Sequence, residues 1–289
     1  MAEQCFCAFP LLSFFGCCPG GATTLSGPGS AEDDQEHGTA VSGVITSDGV
    51  DAPLGMAPDA GIVAVKVLSR VGTGRFSDIA AGLDWVLANH GALGIRAVNM
   101  SLGDPFQHRR SDVFPCAGSN VAAAIQALRD EGVAVFVASG NNGYDKGISF
   151  PACVAEAISV GGVYDAFFDS VAWCRNASCS LTLCTDAPAN ADGFVCHSNS
   201  GAILDLLAPN WKTTTSKLGG GTLDAGGTSL ATPYAAGAAA LLFEADPTFT
   251  AGEVEALLES HGPLVTNPDS GLSFPRLDVG DAVDEVLGP

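Results

Sequence analysis

The sequence predicts an α/β domain of three layers, a mainly parallel twisted sheet with helices on both faces. Three observations carry this. Short Val/Ile-rich runs recur along the chain without polar alternation, as in parallel strands covered on both sides. Helix patterns lie between those runs, and strand–helix alternation implies right-handed crossovers in one sheet. Small residues are abundant, with Gly alone 36 of 289, which suits helices lying close on a sheet.

The elements follow in order. Residues 1–30, beginning "MAEQCFCAFPLLSFFGCCPGG", form a Cys-rich leading loop. The stretch has a short apolar core, as a secretion signal does, but it carries Glu3 and lacks a basic n-region. In "EHGTAVSGVI" (36–45) His37 precedes a helix of small residues. "GIVAVKVL" (61–68) is the first strand run. "FSDIAAGLDWVLANHG" (76–91) sets Ile79, Leu83, Val86 and Leu87 on one helical stripe, with His90 at its end. "RAVNMSL" (96–102) is the next strand. "GSNVAAAIQALRDEG" (118–132) is a helix that Ser119 caps and Gly132 closes. Strand runs return at 133–138, 157–163 and 203–208. Between the last two, residues 164–202 are polar, Cys-bearing and irregular, a long loop or hairpin insertion. "GGTSLATPYAAGAAALLF" (226–243) is a buried helix with Pro233 in its early turns, where a missing N–H costs little. A capped helix at 250–262 and a closing segment with a short helix at 274–288 complete the chain. No repeat or linker divides it, so residues 1–289 read as one domain.

Charge and cysteines bound the function. The formal net charge is −20, which argues against nucleic acid as a partner and disfavours anionic membranes. No run approaches the ~18–20 apolar residues of a membrane span. The ten cysteines match no zinc spacing and point to an oxidising compartment with several disulfides. Asn176 opens a glycosylation sequon, Asn-Ala-Ser.

Three stretches carry chemistry. Ser229 stands at the mouth of the buried helix, where unpaired N–H groups and the helix dipole favour negative charge. A serine hydroxyl also needs a base, and His37 opens a helix of similar character. "VFVASGNNG" (135–143) is a buried strand ending in a Gly-Asn turn, where the Asn141 amide can face an oxyanion. His90, His108, His197 and His261 read as structural. Together "HGTAVSG", "VASGNNG" and "GTSLATPYAAG", in that order, resemble the histidine, oxyanion-hole and serine motifs of the subtilisin-like serine peptidases, the subtilase family. "VNMSLG" (98–103) resembles the family's substrate-binding strand, and "GMAPDAGIVAVKVL" (55–68) the strand after its histidine helix. The likeness runs from about residue 30 to the C-terminus.

The resemblance implies Ser229 as nucleophile and His37 as general base, with Asn141 and the Ser229 backbone N–H holding the oxyanion. Ser101, Leu102 and Gly103 on one side, and Ala138, Ser139 and Gly140 on the other, would flank the side chain before the scissile bond. Small residues on both walls imply room for a large or apolar one. The implied protein is a secreted, monomeric serine endopeptidase acting on polypeptides and needing no cofactor. Calcium sites are frequent in the family, and no ligand run here marks one. Cys116 and Cys153 would pair, as matching positions do in related sequences.

One expected part is missing. The family's order is Asp…His…Ser, and its aspartate lies on a strand upstream of the histidine. Nothing among the residues before His37 reads as that strand. Asp33 and Asp34 are too close in sequence to reach the far ring nitrogen well. The expectation is a fold truncated at its N-terminal end, with the strand and a secretion signal encoded upstream, and weak or no activity as given. The alternative is a catalytically degenerate binding or scaffold protein. A sedolisin-type peptidase would replace the histidine with an acid, and His37 speaks against it.

Overall fold

The computed structural model describes residues 2–8, 16–109, 113–174 and 179–288. The centre of the signal-like stretch and Asn176 lie outside them. In chain order, β1 (Glu3–Phe6) and β2 (Thr24–Ser26) precede α1 (His37–Thr46), β3 (Ala64–Lys66), α2 (Phe76–Leu93) and β4 (Ala97–Met100). Next come α3 (Asn120–Asp130), β5 (Ala134–Ala138), β6 (Ile158–Val163), β7 (Val171–Cys174), β8 (Thr182–Asp186) and β9 (Leu206–Pro209). The hairpin β10 (Thr213–Ser216) and β11 (Thr222–Ala225) leads into α4 (Thr228–Ala245) and α5 (Ala251–Ser260). The strands β12 (Leu264–Thr266) and β13 (Ser273–Pro275) and the helix α6 (Val279–Leu287) close the fold.

The central sheet is parallel, in the order β4-β5-β6-β9. Its strands β5 and β9 read as continuously apolar because both faces are covered. In β5, Ala134 and Phe136 face the core built with α4, α5 and α6, and Val135 and Val137 face the core built with α2 and α3. The long helix α4 is rich in alanine and lies directly on β4, β5, β6 and β9. The predicted caps form: Ser119 Oγ accepts from Ala122 N at 3.2 Å, and Thr250 and Glu253 make a reciprocal capping box. The 164–202 insertion is a β7/β8 hairpin with flanking turns. All ten cysteines pair: Cys5–Cys18, Cys7–Cys17, Cys116–Cys153, Cys174–Cys179 and Cys184–Cys196. The Cys-rich leading segment, read as a loop, contributes β1 and β2 to a small second sheet.

That second sheet, β2-β1-β3, is where the structure departs from a single sheet. The runs at 61–68 and 96–102 read as strands buried on both faces, yet β3 and most of β4 are only half-buried. The reason is that they do not pair with each other. Among the described residues β3 pairs only with β1, and β4 only with β5. Between them lies a cleft of about 1950 Å³, lined by Val65 and Val67 on one bank and Ala97 and Val98 on the other.

Candidate active site

His37 is the first residue of α1, and the acidic loop before it sets that start. Asp33 Oδ1 accepts from the backbone N–H of Gln35 and Glu36, both at 2.9 Å. Its Oδ2 accepts from Thr39 N at 2.7 Å and Thr39 Oγ1 at 2.6 Å. Asp33 therefore caps the helix. Burial pushes its carboxyl pKa up, but the Thr39 hydroxyl and the three N–H groups outweigh it and hold the pKa below the ordinary value. Asp34 is committed elsewhere, in a 2.5 Å ion pair with Lys66 on β3. Neither carboxylate hydrogen-bonds the His37 ring, and that ring makes no hydrogen bond among the described residues. Burial lowers the His37 pKa, and the Asp33 charge partly opposes this.

The capping role has a measurable consequence. Asp33→Ala is expected to destabilise the fold by about 1–2 kcal/mol at neutral pH, the usual worth of a charged cap. Because the folded pKa is depressed, this contribution is present above the ordinary carboxylate range. It is lost as pH falls through the lower folded value. Urea melts of both proteins at neutral pH and in strong acid should show the difference in the first and not the second.

Ser229 is the second residue of α4. The turn into the helix needs glycine at 227, whose φ of 117° disfavours side chains. The helix mouth is stitched to the segment after β4. Ser101 Oγ donates to Ser229 O at 2.7 Å, Asn99 Nδ2 donates to Ser101 Oγ at 3.0 Å, and Ser229 Oγ donates to Ser101 O at 3.3 Å. Asn141 follows β5. Its Oδ1 accepts from Thr228 N at 2.9 Å and Thr228 Oγ1 at 3.0 Å, while Thr228 Oγ1 accepts from Gly140 N at 3.2 Å. Gly140 is obligatory, since a Cβ there would lie 2.2 Å from Asn199 Nδ2.

His37, Ser229 and Asn141 thus line one cleft, the same that runs between β3 and β4. Ser101, Leu102, Gly103, Ala138 and Gly140 line it too. Ser139 does not: it is fully buried, and its backbone and side chain bond inward to Ser149, Asn199 and Ser198. The Ser101 hydroxyl is spent on the Ser229 carbonyl, so that wall offers backbone and Leu102. Sequence reasoning passed over Thr228, the residue that joins the asparagine to the serine helix; its signal was its place directly before Ser229.

Among the described residues one carboxylate cluster is close enough to hold a cation. Asp205, Glu255 and Glu259 bring carboxylate oxygens within 4.8 Å of one another. However, Glu255 is paired with the Arg129 guanidinium, and Asp205 accepts from Ser159 N and Oγ. Positive charge and donors are already supplied there.

The arrangement can do one kind of chemistry. It presents a hydroxyl at a helix N-terminus, an imidazole that burial keeps neutral, and an amide donor across the same cleft. The profile of the Subtilase family matches residues 22–273. Subtilisin Savinase of Lederbergia lenta is 34% identical over 232 residues, covering 80% of this chain and 71% of that protein. An alkaline protease of Alkalihalobacillus alcalophilus is equally similar over 80% of this chain, which spans about half (50%) of that protein's length. Among solved structures, the crystal structure of a cold adapted subtilisin-like serine proteinase aligns with a TM-score of 0.64 at 29% identity. The alignment covers 86% of this chain and 76% of that one.

Proposed function

The chain belongs to the subtilase family, and on that footing we propose that it is a serine endopeptidase working through an acyl-enzyme on Ser229. His37 takes the hydroxyl proton as the serine attacks and returns it to the leaving amine. The Asn141 amide and the Ser229 N–H hold the oxyanion. The single observation that carries this reading is the Asn141 amide, turned by Thr228 beside the helix terminus that bears Ser229. The substrate is polypeptide, with its side chain before the scissile bond lying between Ser101–Gly103 on one side and Ala138 and Gly140 on the other. The protein acts as a secreted monomer of one domain; its five disulfides support the oxidising compartment. Among the described residues no helix is long and apolar enough to cross a membrane.

This includes weak activity for residues 1–289 alone, because among the described residues no carboxylate bonds the His37 ring. That same bare ring favours a second reading, a binding or scaffold protein on this fold. A fluorophosphonate probe separates them: labelling mapped to Ser229 supports the enzyme, and an unlabelled folded protein supports the scaffold. The pH profile adds a check. His37 must be neutral to act, and burial depresses its pKa. The acid limb of kcat/KM is therefore expected to fall below the ordinary histidine value of about 6.5.

A further inference from the structure

We propose that His197 is a positioning residue that locks the Asn141 amide with its N–H groups toward the cleft. The inference rests on the role given to Asn141 above. Thr228 N can only donate, so the Asn141 side-chain atom 2.9 Å from it is the oxygen. His197 Nε2 lies 3.0 Å from that same oxygen. Nε2 therefore carries the proton and donates, which fixes the tautomer. The Asn141 oxygen then receives three donors, and its Nδ2 is left without a partner among the described residues, available to a substrate oxygen.

The rest of the ring gains little. His197 is 2% exposed, and its Nδ1 is a buried acceptor with no hydrogen-bond partner. Burial pushes its pKa down to about 3, so the ring stays neutral. A half-satisfied polar ring in a core is worse for stability than an apolar ring of the same shape. Its one polar gain is the bond to Asn141.

The 164–202 insertion buttresses this ring. Trp173 on β7 packs on His197 with ring centroids 3.5 Å apart, and Trp211 packs edge-on against Trp173 at 4.5 Å. Trp173 Nε1 donates to Tyr164 Oη at 3.0 Å, and Tyr164 Oη donates to Asp186 Oδ2 at 2.6 Å. The same Asp186 oxygen accepts from Cys196 N at 3.1 Å, next to His197, and Cys184–Cys196 ties that residue to β8. The hairpin thus holds the imidazole that holds the amide.

The test compares His197→Phe, which keeps a ring and loses the donor, with His197→Gln, which keeps a donor. Nitrogen relaxation of the Asn141 side-chain amide reads the proposal without any need for turnover. Its order parameter is expected to be near about 0.85 in the parent and the Gln variant, and below about 0.6 in the Phe variant. In the active enzyme, His197→Phe should lower kcat about three- to tenfold, the worth of one neutral hydrogen bond, with KM within about twofold. His197→Gln should restore most of it, and the thermal midpoint of the Phe variant should be unchanged or higher. An Asn141 amide as rigid in the Phe variant as in the parent overturns the proposal. So does a loss of kcat shared equally by both variants and tracking their stability. A parent that neither cleaves peptides nor reacts with a fluorophosphonate would sink the peptidase reading and leave the relaxation result to decide this one.

Discussion

Ser229→Ala is expected to reduce peptide hydrolysis about a hundredfold in residues 1–289, and about a millionfold once a carboxylate stands behind His37. The two numbers come from one fact: the catalytic side chains act as a unit, so their losses do not add. In subtilisin, a member of this family and the enzyme in which these losses were measured, removing the serine costs about 2 × 10⁶ in kcat and removing the aspartate alone about 3 × 10⁴. On the proposed reading residues 1–289 work without that aspartate, so the smaller factor is already lost. The serine can then account only for the remaining ratio, roughly 70. The fold should not change, since the Ser229 hydroxyl makes one long bond, 3.3 Å to the Ser101 carbonyl. Steady-state hydrolysis of a chromogenic peptide, with thermal melts of both proteins, measures this. If the alanine variant keeps the parent's rate, Ser229 is not the nucleophile.

What the sequence made legible was set by local rules. Ser119, Thr250 and Glu253 announced their helices because capping is read within four residues. β5 announced itself because both its faces are covered, so no polar residue interrupts it. The three site segments were legible as ordered motifs, and the structure brings His37, Ser229 and Asn141 to one cleft. The split between β3 and β4 was not legible, because strand pairing is a long-range property that an apolar run does not encode. Ser139 was misplaced for a related reason. Alternation in β5 assigns faces within the strand, but beyond Ala138 the chain turns, and only the glycine turn at Gly140 decides which way each side chain goes. His197 looked structural because its significance lies in a partner 56 residues away in sequence.

The second large effect concerns the cleft between β3 and β4. Among the described residues each strand has a free edge there, and unpaired edges flanked by apolar side chains form a template for another strand. Val65, Val67 and Val98 are half-buried on the banks of this cleft. His37 lines the same cleft, and we expect the last residue of an inserted parallel strand to reach its imidazole. We expect such a strand, fused ahead of the chain and ending in aspartate, to raise kcat by about 3 × 10⁴, the subtilisin figure, or about 6 kcal/mol of barrier. A strand of five to six residues spans about 17–20 Å. A flexible Gly/Ser linker of roughly 14 residues averages about 20 Å between its ends and lets the strand lie parallel before the chain returns to β1. The same fusion ending in asparagine separates two effects. Both fusions should raise the thermal midpoint, because both pair the free edges and cover the valines. Only the aspartate should raise the rate and move the acid limb of kcat/KM upward, because a carboxylate stabilises the protonated imidazole and asparagine cannot. Equal rates in the two would mean that orientation alone was lacking. No gain in stability from either would mean that the cleft is not a strand site, and that the enzyme must find the charge for His37 elsewhere.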